Sequence, residues 1–434
     1  MERTYESAIA FLRGRRRMTR PNPSFTISQL PIAHLPNASP TFRGTPSIEG
    51  MREWLQKLGH TDAKIDSLNI IHVAGTKGKG STCAFVESFL RVYGERTGFP
   101  RKTGLYTSPH LIETNERIRI DFNPLPKDVF AQNVFEEQVD VAIYETHHGG
   151  QYDATNVVQH PVVTGLASIG MDHVRELGPS LENIAWHKAG IFKAGAPAFS
   201  LPQEPKVAQV LKNRAAEKGV TLKFVGVDRD LPGNLNIKTQ LYNASLAREI
   251  SNAFLELKHP GVSPCLTARD IADGVQRFHW PGRFQIVPEG KYSWYLDGAH
   301  NELSIGEAAV WFQQVSRQGG GDLPMRILIF AQKSDQRDSL GVLKRLSETL
   351  NLSIQHAIFT TYSDNDNGRL LEQYRQCWKE WFPWTEAWNE QTPWQAVARA
   401  RELGKGEDAV HILVTGSLHL VGSVLRQLGD VLQS

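Results

Sequence analysis

The sequence predicts a two-domain α/β protein. A doubly wound, mostly parallel sheet built around a phosphate-binding loop is followed by a smaller α/β domain of Rossmann-like pattern. Three observations carry that expectation. Residues 70–82, Ile-Ile-His-Val-Ala-Gly-Thr-Lys-Gly-Lys-Gly-Ser-Thr, join an apolar β-branched run to a glycine-rich loop and a helical pattern. Strand and helix patterns alternate along most of the chain and restart after a turn at Pro281-Gly282. At 434 residues the chain exceeds what one core ordinarily holds. The layout read from these is an N-terminal helix and irregular linker over 1–47, a nucleotide-binding domain over 48–284 and a second domain over 285–434.

Composition narrows the function before any motif does. Hydrophobic content of 40% and charged content of 22% describe a globular chain. A net charge of +2 makes no electrostatic case for nucleic acid. Cys83, Cys265 and Cys377 are too few and too scattered for a disulfide framework or a zinc site, which suits a reducing compartment. No apolar run approaches the roughly 18 residues of a membrane span. Arg13, Arg15, Arg16, Arg17 and Arg20 hint at organelle import, but Glu2, Glu6 and the absence of an amphipathic stripe favour a solvated basic helix end. The expected location is therefore cytoplasmic, with the mitochondrion as the alternative.

In chain order, 1–20 read as a short helix, 21–46 as an irregular Pro/Ser/Thr/Asn-rich linker, and 48–58 as a helix closed by Gly59. In the loop that follows, Gly75, Gly78 and Gly80 bring backbone N–H groups close to phosphate oxygens, with Thr76 between them. Lys77 or Lys79 adds a cation, the helix starting near Ser81 adds its positive end, and Ser81 or Thr82 offers a hydroxyl to Mg²⁺. A glycine separates Lys79 from Ser81, unlike the common P-loop, and a flexible surface turn is the competing account.

Residues 102–111 read as a strand running into a loop at Ser108-Pro109-His110, and 116–120 as a half-buried strand. Residues 139–145 form an apolar strand ending in Glu145, which the carboxyl-end rule aims at the ligand crevice; simple solvation competes evenly. His173 follows the next buried strand, 161–169, and alone is an ordinary polar residue. Paired with Glu145 it becomes a second contact for Mg²⁺ or Mn²⁺. Lys188 ends a helical pattern begun at Leu181, where a solvated cation is the ordinary account. Asn243 opens another helix. Trp294-Tyr-Leu-Asp297, 326–330, 356–360 and 410–415 are strands of the second domain. The crowd of Trp378, Trp381, Trp384, Trp388 and Trp394 is read as core or loop anchoring.

These motifs, in this order, resemble the folylpolyglutamate synthetases within the Mur-type amide ligases, in wording closest to the fungal branch. The residues that carry the resemblance are 72–82, Tyr106-Thr-Ser-Pro-His-Leu111, Glu116-Arg-Ile-Arg-Ile120, Asp153-Ala-Thr-Asn156, Asp172-His173, 184–191, Trp280-Pro-Gly-Arg283, Asp297-Gly-Ala-His-Asn301 and Gly416-Ser-Leu-His-Leu420. The resemblance implies an acid–amino-acid ligase: the terminal carboxylate of a reduced folate takes the γ-phosphoryl group of MgATP, and L-glutamate displaces phosphate from the acyl phosphate. It also implies a monomer without nucleic-acid or membrane partners, and a monovalent cation such as K⁺ beside Mg²⁺.

Carried over by position, Gly75, Thr76, Gly78, Lys79, Gly80, Ser81 and Thr82 would hold the phosphates. Ser81, Glu145 and His173 would hold the metal. Lys188 is the position where the family carries a carbamylated lysine. Asn243 would lie near adenine and Arg283 near the phosphates, Asp297 and His300 would serve ATP and the incoming glutamate, and Ser108, Pro109, His110 and Leu111 would line the folate side. The sequence departs from the family in three places. The segment 121–138 is short, leaving room for one short helix before the Glu145 strand. Thr146-His147-His148 replace a small apolar residue and glycine. Ala331 stands where asparagine is usual. The alternative is a divergent or degenerate Mur-type paralogue that acts on another carboxylate or binds ATP without ligation.

Overall fold

The computed structural model describes residues 4–14, 50–132, 139–233, 235, 237–263, 265–317, 324–332, 338–361 and 368–432. Two compact units emerge: residues 1–110 with 114–279, and residues 111–113 with 280–434. The division falls before Trp280 because the Trp280–Phe284 turn is tied into the second unit. Gly298 N donates to Gly282 O (3.0 Å), and Phe284 N donates to Asp297 Oδ2 (3.0 Å).

Among the described residues the first unit holds eight strands: β1 (Ile71–Ala74), β2 (Thr103–Tyr106), β3 (Ile118–Ile120), β4 (Asn123–Pro124), β5 (Val141–Glu145), β6 (Val163–Leu166), β7 (Ala198–Ser200) and β8 (Leu222–Phe224). Their order is β4-β3-β2-β5-β1-β6-β7-β8. All neighbours are parallel except β2–β3 and β3–β4. β1 is buried along its whole length, as a strand covered on both faces must be, and its apolar run reflects that. It lies between β5 and β6, where the strand order turns back, so the loop after Ala74 opens at the switch point of the sheet.

The helix Lys79–Thr97 leaves that loop and buries Phe85, Phe89 and Val86. It packs on helices Lys238–Lys258 and Ala268–Arg277, and Ser88 Oγ donates to Gly274 O at 2.7 Å. The Lys238–Lys258 helix begins a turn earlier than expected, so Asn243 is inside it rather than at its start.

β5 pairs in parallel with both β2 and β1, so the sheet is continuous here; residues 133–138 of the short segment before it lie outside the described residues. Because β3 runs antiparallel to β2, the chain turns into β4 and then into the short helix Lys127–Gln132. The N-terminal helix Tyr5–Gly14 covers this part: Tyr5 stacks edge-on against Phe130 (5.9 Å) and its hydroxyl donates to Asn115 Oδ1 (3.2 Å). The expected linker over 21–46 lies outside the described residues.

Among the described residues the second unit has six strands: β9 (Gln285–Glu289), β10 (Tyr292–Leu296), β11 (Met325–Phe330), β12 (His356–Thr360), β13 (Glu386–Glu390) and β14 (Val410–Thr415), ordered β13-β12-β11-β14-β10-β9. All pairs but β9–β10 are parallel. One face packs Trp294, Ile327, Ile329, Ile412 and Val414 against the last two helices, and Leu111 packs on the same cluster. Among the described residues no helix is long and apolar enough to cross a membrane.

Candidate active site

In the first unit the loop after β1 is held open by its own backbone. Gly75 has φ +151°, and a Cβ there would come within 2.9 Å of Ala167 Cβ; Gly78 has φ +85° and precedes the first helical residue. Thr76 N and Lys77 N both donate to Ser168 O (2.7 and 3.2 Å), while the Thr76 hydroxyl and the Gly170 backbone bond each other. Those groups fasten the loop to the end of β6. The first helical bond is Thr82 N to Gly78 O at 2.8 Å, so the amides of Lys79, Gly80 and Ser81 have no helical carbonyl to meet. They are the donors a helix start offers to an anion. Of the two hydroxyls, Thr82 is fully buried and turned towards Asn243 Oδ1 (3.5 Å), whereas Ser81 is half-buried at the helix start. Asn243 lies against the loop itself: a Cβ on Gly78 would come 2.3 Å from Asn243 Oδ1.

Three charged side chains surround this loop. Glu145 is level with Val73 across the β1–β5 pairing and is 5% exposed. Its Oε1 lies 3.8 Å from Lys79 Nζ, and its Oε2 accepts from Ser108 N at 3.0 Å. Lys188, 3% exposed, donates from Nζ to Gly75 O at 2.7 Å. Burial, reinforced by the charge of Lys79, holds its ammonium well below the usual lysine range, which favours a neutral, nucleophilic amine.

His173 joins this neighbourhood indirectly. It has φ +49°, its ring meets His148 edge-on with centroids 4.3 Å apart, and Asp172 lies 3.8 Å from its Nε2. Asp172 also acts on Lys188. Among the described residues no three His, Cys, Asp or Glu side chains converge as a metal cage. The Glu145 carboxylate and the Ser81 hydroxyl are oxygen donors of the kind Mg²⁺ takes when it arrives with nucleotide phosphates and keeps waters, and His173 would add an imidazole.

The two histidines after Glu145 take different partners: His148 lies against His173, and His147 meets Tyr106. His147 Nε2 meets the Tyr106 hydroxyl at 2.6 Å, and the amides of His147 and His148 donate to Asp153 Oδ2 (2.9 and 2.8 Å). Burial pushes the Tyr106 phenol up to about 12 and pushes both imidazoles below the ordinary histidine value, so both partners of this bond are neutral at pH 7. This pairing was not expected from sequence, because the two partners are 41 positions apart. The 108–111 loop divides. Ser108 contacts Glu145 and His110 accepts from Arg117 Nε (3.0 Å), while Leu111 belongs to the second unit.

In the second unit Asp297 is 4% exposed and both its oxygens accept backbone donors: Phe284 N at Oδ2 and Ala299 N at Oδ1 (2.9 Å). His300 Nδ1 contacts Gly298 O (2.9 Å), and Gln332 Nε2 donates to His300 O (2.8 Å). Arg283 packs so closely that a Cβ on Gly298 would come 2.4 Å from its Nη1. Gln332 had no sequence signal as part of this turn beyond lying next to the departure at Ala331.

No protein-family model matches the chain. Curated relatives do. The folylpolyglutamate synthase of Neurospora crassa is 37% identical over 87% of this chain and 85% of its own length. The probable folylpolyglutamate synthase of Schizosaccharomyces pombe is 34% identical over 87% of both. Among solved structures, the fold matches Mycobacterium tuberculosis folylpolyglutamate synthase complexed with ADP and AMPPCP, with a TM-score of 0.72 at 22% identity, covering 88% of this chain and 96% of that one.

Proposed function

The chain belongs to the folylpolyglutamate synthase family, and from that premise we propose that it adds L-glutamate to the glutamyl tail of a reduced folate in an ATP-driven ligation. The observation that carries this is the meeting of Lys79, Glu145 and Lys188 around the Gly75–Ser81 loop, with the Ser108 loop bonded to Glu145. A carboxylate is a poor acylating group until its oxygen becomes a leaving group. Here a carboxylate oxygen of the folate tail attacks the γ-phosphorus of ATP, ADP departs, and an acyl phosphate remains. The glutamate amine then adds to the acyl carbon, loses a proton and expels inorganic phosphate. Charge spreads over the transferred phosphoryl oxygens in the first step, and Lys79 with the amides of Lys79, Gly80 and Ser81 opposes it.

Ser81, Glu145 and His173 would hold Mg²⁺, which supplies further charge neutralisation of the phosphates when bound; K⁺ is part of the same proposal. Lys188, buried and pushed towards its neutral form, has the chemistry to be carbamylated. His300 is assigned to the incoming amino acid. Asp297 is assigned to ATP, and its bonds from Phe284 N and Ala299 N also shape the turn that presents Arg283 and His300. The enzyme is proposed to act as a monomer in the cytoplasm, with the mitochondrion as the alternative.

The test is ADP release by purified protein. It should require both L-glutamate and a reduced folate, and the product should gain one glutamyl unit by mass. Glutamate-independent ATP turnover, or none, would overturn the assignment.

A further inference from the structure

β1 carries a fully buried histidine, and the proposed reaction does not use it. His72 Nε2 lies 2.8 Å from Thr155 Oγ1. That hydroxyl is 2.6 Å from Asp153 Oδ1, which also accepts from Thr155 N at 3.0 Å. Asp153 Oδ2 takes the amides of His147 and His148. A threonine hydroxyl has one proton, and a carboxylate gathering N–H donors draws it. The oxygen then offers His72 a lone pair, so the imidazole must donate from Nε2. Neutral imidazole has a single N–H, which leaves Nδ1 bare, and Nδ1 finds no partner among the described residues. The direction of the whole chain is therefore fixed: His72 to Thr155 to Asp153, with Asp153 gripping the segment just after Glu145.

That segment touches Lys79, Ser108, His173 and the Lys188 helix. Its beginning is Glu145, and His148 lies against His173. Its far end is pinned to the Lys188 helix, where Gln151 N donates to His187 O at 2.6 Å and a Cβ on Gly150 would strike His187 O and Lys188 O. At the other end of the chain, His72 is three residues before Gly75. We propose that His72 is a positioning residue: through Thr155 and Asp153 it sets the 145–151 segment relative to the phosphate loop, and so sets where Glu145, His173 and Lys188 stand. The kinetic consequence rests on the ligase assignment above; the hydrogen-bond direction does not.

Two measurements separate them. In ¹⁵N-labelled wild-type protein, the imidazole resonances that vanish in His72→Phe, or shift in Thr155→Val, should report an Nε2–H tautomer with a bare Nδ1. An Nδ1–H tautomer, or a rapid average, would overturn the proposal. Thr155→Val keeps the shape but can neither accept nor donate. It should lower kcat for glutamate-dependent ADP release roughly 10–100-fold with KM for ATP little changed. Thr155→Ser should restore the rate, and adding His72→Phe to Thr155→Val should cost nothing further. A serine variant as slow as the valine one, or a fully additive double variant, overturns it. If the wild type shows no ligation, the ligase assignment falls and the tautomer alone decides the brace.

Discussion

The loop of the first unit and the Asp297–His300 turn of the second both follow an interior strand of their sheet and both gather ionisable side chains, yet they use them differently. Around the loop, charges face one another at distances a ligand can rearrange: Lys79 is 3.8 Å from Glu145, and Lys188 is held by a single carbonyl. In the turn, each oxygen of Asp297 accepts a backbone amide and Asn301 caps the helix Glu302–Ser316. The first region holds charge ready. The second holds shape. Changes in the first should therefore damage chemistry before stability, and changes in the second should do the reverse.

Lys79→Met is the largest test of that contrast. Losing one charged donor to the transferred phosphoryl group should lower kcat roughly 10²–10³-fold, read as glutamate-dependent ADP release. The melting temperature should fall by only a few degrees, because Glu145 keeps its bond from Ser108 N. A variant that melts early and keeps its rate would break the comparison.

Asp297→Ala should behave in the opposite way. Two buried hydrogen bonds to a charged acceptor are lost, and the stability cost is on the order of 3 kcal/mol. Hydrogen exchange should speed up first at the Phe284 and Ala299 amides, the two donors left behind. Unchanged protection at both would show that the carboxylate is not what holds the turn.

This contrast also explains what the sequence makes legible. β1, β5, β6, β11, β12 and β14 are covered on both faces, so each is an apolar run that pattern alone finds. β4 (Asn123–Pro124) and β13 (Glu386–Glu390) are edge strands with polar residues, and no run marks them. The tryptophan crowd splits for a related reason: Trp378 is fully buried in the helix Arg369–Trp381, while Trp384 and Trp394 are 67% and 59% exposed. Residues that touch the loop through the backbone, such as Glu145 at a strand end, follow from chain order. Partners joined only through space, such as His72 with Thr155 or Tyr106 with His147, leave no local trace. The assignment of Leu111–Glu113 to the second unit is of the same kind, since it depends on packing against Gly282 and Val421.

Within the first unit, His72 sharpens the comparison as a pH effect. Burial pushes its imidazole down to about 4, from 6.5. Between those values the unfolded chain binds a proton that the folded protein refuses, so stability falls as pH drops through that window. At about 1.4 kcal/mol per pH unit the loss is on the order of 3 kcal/mol by pH 4. His147, His148, His279, His356 and His411 are also pushed down by burial and add in the same direction. Urea midpoints measured from pH 7 to pH 4 should fall less steeply in His72→Phe than in wild type. Parallel curves would remove His72 from the acid sensitivity of the unit.

The smallest effect is expected at Lys218, where charge and shape oppose each other within one residue. Its ammonium donates to Gly190 O and Phe192 O (2.9 and 3.0 Å), closing the turn after the Lys188 helix. Burial, then the charges of Arg214 and Lys193, nevertheless push it down to about 8. Lys218→Met removes two capping bonds, each worth about 1 kcal/mol, and at the same time removes a cation from a poorly solvated place. The two changes offset, so the net effect on stability at pH 7 should stay within about 1 kcal/mol. The pH dependence is the sharper reading. Between about 8 and the ordinary 10.5 the unfolded lysine holds a proton that the folded one has lost, so the wild type should gain stability as pH rises through that window. Lys218→Met should lose that gain. A variant that keeps the alkaline rise but is strongly destabilised at pH 7 would mean that Lys218 serves shape alone.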